Sequence, residues 1–317
     1  MPLLEVKNLS LGFTIDNKFY KVLKNITFEV HKSEIFSIVG ESGCGKSLTS
    51  LAILNLLPLN AKILSGSINL NNIDLLKIIE KQMQAIRGNE IFLIPQDPMT
   101  SLNPLYRIKD QILEVIKLKY KGISKEESYN KIIRTLKDVH IPNPEERLNA
   151  YPHELSGGMK QRIIIAMALL AKSSLIIADE PTTALDVTVQ AQIMQLLREI
   201  KNKYNTSIIL ITHDLGIVSE NADKVAVMYY GEIVELSDTK TLFNNPKHPY
   251  TKALINSLPD FNSKVLHTIK GQVPSIYENI NGCPFASRCN FCFERCKKTA
   301  PELKKINDGS YVSCFLY

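Results

Sequence analysis

Residues 40–47 read Gly-Glu-Ser-Gly-Cys-Gly-Lys-Ser, and this spacing matches the phosphate-binding pattern G-x-x-x-x-G-K-S. Glycines let the backbone curl so that successive N–H groups point at one place, and the start of a helix adds partial positive charge there. Lys46 supplies a cation for the outer phosphates of a nucleotide, and Ser47 supplies a hydroxyl for Mg²⁺. The pattern therefore predicts a loop that binds a nucleoside triphosphate.

Two adjacent carboxylates, Asp179 and Glu180, follow the apolar run 175–178. A phosphate loop needs a carboxylate that holds Mg²⁺, usually through water, and Asp179 is placed for that role. Hydrolysis also needs a group that orients or deprotonates the attacking water, and Glu180 is the candidate. The pair therefore predicts hydrolysis of the bound nucleotide.

Gln96 and His213 also follow short apolar runs, at 91–94 and 207–212. Ligands of α/β proteins bind at the carboxyl ends of parallel strands, where these side chains would lie. His213 could hydrogen-bond the γ-phosphate, and Gln96 could contact Mg²⁺ or the attacking water. Each signal is weak alone, because a lone histidine is more often an ordinary surface residue.

The elements that must position these residues alternate in type, which predicts an α/β fold. Apolar runs predict strands at 3–6, 25–30, 34–39, 91–94, 175–178 and 207–212. Apolar residues at helical spacing predict helices after 48, at 108–116, 124–139, 162–170 and 189–200. We expect a domain at 1–259 with a helical subdomain at about 100–165, followed by a smaller extension at 260–317.

The composition is that of an ordinary soluble protein, with 44% hydrophobic and 22% charged residues among 317. No run approaches the roughly 18 apolar residues of a membrane span, and Glu5 and Lys7 interrupt the N-terminal apolar stretch. We therefore expect a cytoplasmic protein. The net charge is +6, and residues 262–317 hold eight Lys/Arg against four Asp/Glu. Such a basic tail could face lipid headgroups or nucleic acid, or be a plain solvated surface.

Leu155-Ser-Gly-Gly-Met-Lys-Gln161 precedes a strongly apolar helix that Ser156 could cap. With this segment the motifs stand in a recognisable order: 40–47, Gln96, 155–158, 175–180, Ala184-Leu185-Asp186 and His213. Together they resemble the nucleotide-binding subunit of an ABC transporter, over roughly residues 3–260. The resemblance implies the P-loop NTPase fold of the ABC type and an active ATPase.

Further segments resemble the oligopeptide/dipeptide importer subfamily, and its D-type ATPase in particular. They are 96–104, Tyr151-Pro-His-Glu-Leu155, 178–187, His248-Pro-Tyr-Thr251, Leu3-Leu-Glu-Val6 and Leu57-Pro-Leu-Asn60. The resemblance implies a heterodimer with a sister ATPase, two transmembrane permeases and an extracytoplasmic substrate-binding protein, at the cytoplasmic face of the cell membrane. Nucleic acid is not among the implied partners.

In this family two ATPase subunits pair head to tail. The segment Leu155–Gln161, which begins with the Leu-Ser-Gly-Gly signature and is called the signature here, would therefore contact the nucleotide bound to the other chain. Phe13 matches the aromatic residue that stacks on adenine, with Tyr20 as a second candidate, and Leu48 stands where many such ATPases have Thr. The implied ATP-binding residues are Phe13, Gly40, Glu41, Ser42, Gly43, Cys44, Gly45, Lys46, Ser47, Leu48, Gln96, Asp179, Ser156, Gly157, Gly158 and Gln161. The implied catalytic residues are Glu180, His213 and Lys46, and those near Mg²⁺ are Ser47, Gln96 and Asp179.

Five of the six cysteines lie between Cys283 and Cys314, which in a cytoplasmic chain favours metal or redox chemistry over disulfides. Cys283, Cys289, Cys296 and Cys314 resemble the C-terminal cysteine motif of peptide-importer ATPases, which implies a [4Fe–4S] cluster, with zinc as the alternative. Cys292 adds a zinc-like Cys289-x₂-Cys292 spacing and leaves the ligand set open. Cys44 in the phosphate loop is expected to be a spacer residue, although its thiol could still make the loop sensitive to oxidation.

Two other functions remain open from the sequence. A nickel importer would use the same machinery, because substrate choice lies in the binding protein and the permeases. A soluble ABC ATPase serving iron–sulfur assembly or DNA repair would also explain the cysteines. The transporter-type segments 96–104 and 248–251 weigh against that second alternative.

Overall fold

A computed structural model describes residues 1–183, 185–258, 269–278, 280–306 and 309–317. The chain forms two compact units, the first from Met1–Lys77 and Ile211–Tyr317 and the second from Ile78–Leu210. The predicted domain boundary at 259/260 lies outside the described residues. The C-terminal segment, defined here as the described residues of 269–317, belongs to the first unit.

The strands are β1 Leu4–Ile15, β2 Lys18–Val30, β3 Ile35–Val39, β4 Ala61–Leu70, β5 Ile73–Asp74, β6 Ile91–Ile94, β7 Leu175–Asp179, β8 Ser207–Thr212, β9 Lys224–Tyr229, β10 Glu232–Asp238, β11 Lys304–Lys305 and β12 Tyr311–Val312. The helices are α1 Lys46–Ile53, α2 Glu80–Ile86, α3 Pro98–Ser101, α4 Ile108–Lys119, α5 Lys125–Asp138, α6 Pro144–Arg147, α7 Gly157–Ala171, α8 Val187–Tyr204, α9 Leu215–Asn221, α10 Thr239–Asn244, α11 Pro249–Asn256 and α12 Glu294–Lys298. Short 3-10 turns occupy Pro152–Glu154 and Ala286–Arg288.

The first unit contains two groups of strands. An antiparallel sheet has the order β2-β1-β4-β5, and a second group has the order β11-β12-β10-β9-β3. Strand β3 is buried along its whole length and runs parallel to β9, with Val39 opposite Val227. A parallel strand buried on both faces is mostly apolar, and β3 is apolar apart from the buried Ser37. Strand β3 therefore forms a rigid base for the phosphate loop that follows it.

The C-terminal segment shares a hydrophobic core with β3 and β9. Phe285 packs in one cluster with Val39, Val227, Tyr229 and Tyr250, all buried. At the surface, β12 pairs antiparallel with β10, and β11 pairs with β12. This shared core explains why the segment is part of the first unit.

The second unit combines the parallel pair β6–β7 and residues 207–210 of β8 with most of the helices. From residue 163 to 171 helix α7 is apolar on all faces and buried, and α7 packs against α4, α5 and α8. Helix α5 begins with a capping box, in which Ser124 accepts from the Glu127 N–H and Glu127 accepts from the Ser124 N–H. The predicted helical region at 100–165 contains α4, α5, α6 and the first part of α7. Within the described residues, no helix is both long and apolar enough to span a membrane.

Candidate nucleotide site

The phosphate loop connects β3 to α1, as the sequence predicts, although α1 begins at Lys46 rather than after Leu48. Gly45 caps this helix with a φ of 106°, in the left-handed region that favours glycine. A Cβ at Gly45 would lie 2.4 Å from Cδ2 of Leu23. The third glycine of the motif is therefore required both by backbone conformation and by close packing.

Lys46 is buried, with 5% of its surface exposed. Its Nζ donates to the carbonyl oxygens of Gly40 and Glu41, at 2.9 and 3.1 Å. The ammonium group therefore lies inside the curve of its own loop, where the phosphates of a nucleotide are expected. Ser42, Gly43 and Ser47 are exposed around it, so the loop surface is open to a ligand.

The burial of Cys44 is consistent with a spacer residue rather than a redox-sensitive one. Its thiol is 1% exposed, and burial raises the pKa of the Cys44 thiol above its ordinary value. The reactive form of cysteine is the thiolate, which both burial and a raised pKa disfavour. The expected sensitivity of the loop to oxidation is therefore not supported at this residue.

Two side chains from the far end of the chain contact Glu41 of the phosphate loop. The backbone N–H of Glu41 donates to the Tyr250 hydroxyl at 3.0 Å. The Arg288 guanidinium donates to both carboxylate oxygens of Glu41, at 2.7 and 2.9 Å. Neither Tyr250 nor Arg288 was among the predicted site residues.

In the second unit, Gln96 and Glu180 are brought together. Gln96 Nε2 donates to Glu180 Oε2 at 2.9 Å, and the Thr183 hydroxyl donates to the same oxygen, also at 2.9 Å. Glu180 itself has a φ of 46°, which is costly for a non-glycine residue. The carboxylate is thus held in a fixed position just after β7, as a water-orienting group requires.

The signature segment opens α7. The Ser156 hydroxyl accepts from the Met159 N–H at 3.3 Å, which confirms the predicted cap. Gly157 and Gly158 form the first turn, and a Cβ at Gly158 would lie 2.6 Å from Cγ1 of Val189 on α8. Gln161, by contrast, is fully buried, and its amide atoms have no hydrogen-bond partner among the described residues. The exposed end of the signature is therefore Ser156 rather than Gln161.

The remaining predicted residues lie at strand ends or edges. Asp179 is half-buried at the end of β7, and His213 is exposed directly after β8. Phe13 is half-buried on β1, opposite Tyr20 on β2. Tyr20 packs edge-on against Tyr277, with ring centroids 5.0 Å apart, so Tyr20 has a packing role. Phe13, the phosphate loop and His213 belong to the first unit, and Gln96, the signature, Asp179 and Glu180 to the second.

The four predicted cysteine ligands line one pocket in the first unit, together with apolar side chains such as Phe285. Burial, together with the neighbouring thiols, raises the pKa of Cys283 to about 12. Among the described residues, no group of three or more His, Cys, Asp or Glu side chains is arranged to hold a metal ion. The predicted iron–sulfur or zinc site therefore has no support from metal-site geometry.

Comparison with known protein families agrees with the motifs. The model of the ABC transporter family matches residues 23–183, which include the phosphate loop, Gln96, the signature, Asp179 and Glu180. The ATP-binding cassette MJ0796, solved as a dimer with ADP and Pi, has a TM-score of 0.66 and 27% identity, covering 74% of this chain and 98% of that one. Fold and site thus define an ATP-binding cassette ATPase.

The C-terminal residues indicate which family of ATP-binding cassette ATPases the chain resembles. The model described as "Oligopeptide/dipeptide transporter, C-terminal region" matches residues 234–296. The dipeptide transport ATP-binding protein DppD of Bacillus subtilis is 46% identical over 99% of this chain and 94% of its own length. The oligopeptide transport ATP-binding protein OppD of Salmonella typhimurium is 44% identical, over 99% and 93%. The chain belongs to the family of ATP-binding subunits of dipeptide and oligopeptide ABC transporters, which confirms the resemblance.

Proposed function

We propose that this chain hydrolyses ATP to power import of dipeptides or oligopeptides across the cytoplasmic membrane. The observation that carries the proposal is the family membership over nearly the whole chain, including the C-terminal region. The ABC motifs alone support ATP hydrolysis, whereas the match at 234–296 supports the peptide cargo. A nickel importer remains the alternative, because the ATPase does not itself select the cargo.

In the proposed reaction the phosphate loop binds the ATP phosphates through its backbone N–H groups and Lys46. Glu180 orients and activates the attacking water, and His213 hydrogen-bonds the γ-phosphate. Bound Mg²⁺ would neutralise charge on the phosphates, held by Ser47, Gln96 and, through water, Asp179. The hydrogen bonds from Gln96 and Thr183 support this role of Glu180, because they fix its carboxylate before ATP binds.

We further propose that Ser156, Gly157 and Gly158 contact the ATP of a sister ATPase in a head-to-tail heterodimer. The exposure of Ser156 and the dimeric form of the cassette MJ0796 support this arrangement. Two permeases and an extracytoplasmic binding protein complete the transporter, which places this chain at the cytoplasmic face of the membrane. The helices of residues 100–165 would contact the permeases, with Gln96 at their hinge.

The decisive test is uptake in cells whose only copy of the gene carries Glu180→Gln. We expect this variant to bind ATP but to lose turnover and uptake of labelled di- and oligopeptides, with radioactive nickel uptake unchanged. Glu29→Gln, at an exposed glutamate on β2 outside the nucleotide site and the helices of residues 100–165, is the matched control and should transport normally. Unchanged peptide uptake in a strain without a second importer would overturn the peptide cargo, and lost nickel uptake would favour the alternative. Co-purification of this chain with membrane permeases would distinguish a peptide importer or a nickel importer from a soluble ATPase.

For the cysteines we propose a metal centre held by Cys283, Cys289, Cys296 and Cys314. A [4Fe–4S] cluster is the favoured occupant, and zinc is the alternative. The supporting observation is that these four thiols share one pocket, whereas Cys292 is not among the described residues that line it. Four cysteine thiolates are a ligand set for either group, and binding would release the thiol protons. Iron and zinc analysis of anaerobically purified protein tests the proposal. Cys283→Ser should lose the metal and Cys292→Ser should keep it, and absence of both metals from the wild type would overturn it.

A further inference from the structure

Arg288 connects the C-terminal segment to the phosphate loop. It lies directly before Cys289, and its guanidinium forms a two-pronged ion pair with Glu41, 247 residues earlier in the chain. A third hydrogen bond runs to the Tyr229 hydroxyl at 3.3 Å, and Nε donates to the carbonyl of Lys270 at 3.0 Å. Every nitrogen of the guanidinium is therefore engaged, and the side chain has one fixed position.

The Arg288–Glu41 ion pair is largely removed from water, so loss of one partner would leave an uncompensated charge. The Arg288 side chain is 3% exposed and the Glu41 side chain 28%. Hydrogen bonding to Glu41 raises the pKa of Arg288 further above its already high ordinary value, so the charge is permanent. Two-pronged pairs of this kind are stronger and more directional than neutral hydrogen bonds. Removal of one partner leaves the other partner as a partly buried charge without a counter-charge.

The position of Glu41 gives the ion pair a consequence for ATP. Glu41 is the second residue of the phosphate loop, and its carbonyl accepts from Lys46 Nζ. A carboxylate on a loop that receives a triphosphate repels the ligand by like charge. Arg288 neutralises this carboxylate and anchors it, while Tyr250 holds the backbone N–H of the same residue.

We propose that Arg288 is a positioning residue for ATP binding, through which the C-terminal segment sets the nucleotide affinity of the phosphate loop. This inference rests on the proposed function, since it assumes that the loop binds ATP. Arg288 acts on the ligand through Glu41, by cancelling its charge and by fixing the start of the loop. The cysteine-bearing region is thereby linked to the nucleotide site through one side chain.

The experiment is a titration of the purified full-length chain with a fluorescent ATP analogue, at low and at high salt. We expect Arg288→Ala to weaken binding about tenfold at low salt, the effect of losing one charge-assisted pair, and less at high salt. Adding Glu41→Gln to Arg288→Ala removes the unpaired carboxylate and should restore most of the affinity. A purely structural role of Arg288 predicts neither the salt dependence nor the rescue.

Arg295→Ala is the matched control, because Arg295 also directly precedes a cysteine of the same segment but packs over Phe315 instead of contacting the loop. Its ATP affinity should equal that of the wild type. If the Arg288→Ala variant does not fold, the variants Arg288→Lys and Arg288→Gln replace it. The Arg288→Lys variant, which keeps the positive charge, should then bind ATP more tightly than the Arg288→Gln variant. Unchanged affinity in Arg288→Ala, or a loss that Glu41→Gln does not rescue, would overturn the proposal. A wild type that binds no ATP analogue would instead refute the proposed function.

Discussion

The phosphate loop follows β3 directly, whereas the C-terminal segment reaches the same core from the far end of the chain. The loop takes its shape from eight consecutive residues, of which Gly45 and Lys46 are fixed by local geometry. The segment is held by long-range contacts, with Phe285 in the core and Arg288 on Glu41. A nucleotide site that is built from a local motif can therefore still depend on a distant part of the chain.

The largest effect is expected in the loop. Gly45→Ala should lower ATP turnover at least about 100-fold, because a Cβ there strains the backbone, overlaps Leu23 and displaces the phosphate-binding groups. A steady-state ATPase assay measures this, with circular dichroism to show that the fold persists. Gly88→Ala is the matched control, since Gly88 also has a positive φ but open space around it. Retained turnover in Gly45→Ala would mean that the loop is not shaped locally.

The next effect is on stability rather than on turnover, and it comes from removing the core anchor of the C-terminal segment. Phe285 is 2% exposed and packs against Tyr229 and Tyr250, so Phe285→Ala should cost about 3–5 kcal/mol of unfolding free energy. Thermal unfolding should show one transition at a lower temperature, because the segment shares the core of the first unit. Phe291→Ala, at an exposed phenylalanine of the same segment, should change stability by less than about 0.5 kcal/mol. A separate early transition in Phe285→Ala would show that the segment is only appended.

The smallest effect concerns pH. Burial lowers the pKa of His248 to about 3 from its ordinary 6.5. As the pH falls, the His248 imidazole is therefore protonated in the unfolded chain at a higher pH than in the folded chain. Stability that is present above about pH 6.5 is therefore lost on acidification towards pH 3, by about 2 kcal/mol at pH 5. Burial raises the pKa of neighbouring Glu235, which acts in the opposite direction.

His248→Asn keeps a side-chain cap for the Tyr250 N–H but cannot take up the proton. Its unfolding free energy should therefore depend less on pH between 7 and 5 than that of the wild type. Denaturant titrations at several pH values measure the difference. His153→Asn, at an exposed histidine, is the control and should keep the wild-type pH dependence. Equal pH dependence in His248→Asn and wild type would contradict a buried neutral histidine.

The sequence predicted those elements whose signals are local. Strands β3, β7 and β8 are dominated by apolar residues, uninterrupted at 175–178 and 208–211, and α5 carries its own capping box. The phosphate loop, Glu180 and Gln96 were assigned because glycine spacing and strand-end polar residues have direct chemical meaning. Strand β4 was missed, because Lys62, Ser65 and Ser67 leave its apolar pattern weak and much of it is exposed.

Long-range contacts could not be predicted in the same way. Arg288 lay inside the cysteine region and Tyr250 inside the His-Pro-Tyr-Thr motif, yet nothing local indicates that both reach Glu41. A pairing across 247 residues depends on the folded core and not on spacing. Thr183 could have been found, because it follows Glu180 by three residues and carries a hydroxyl.

Strand β12 also covers the outer edge of β10, with Val312 opposite Glu235 and Tyr311 opposite Leu236. An open sheet edge offers unpaired N–H and C=O groups to strands of other molecules, which leads to aggregation. The next strand outward, β11, is only two residues long, and both are exposed lysines. Short length and like charge discourage a second copy from pairing there, so β11 and β12 protect the sheet from self-association.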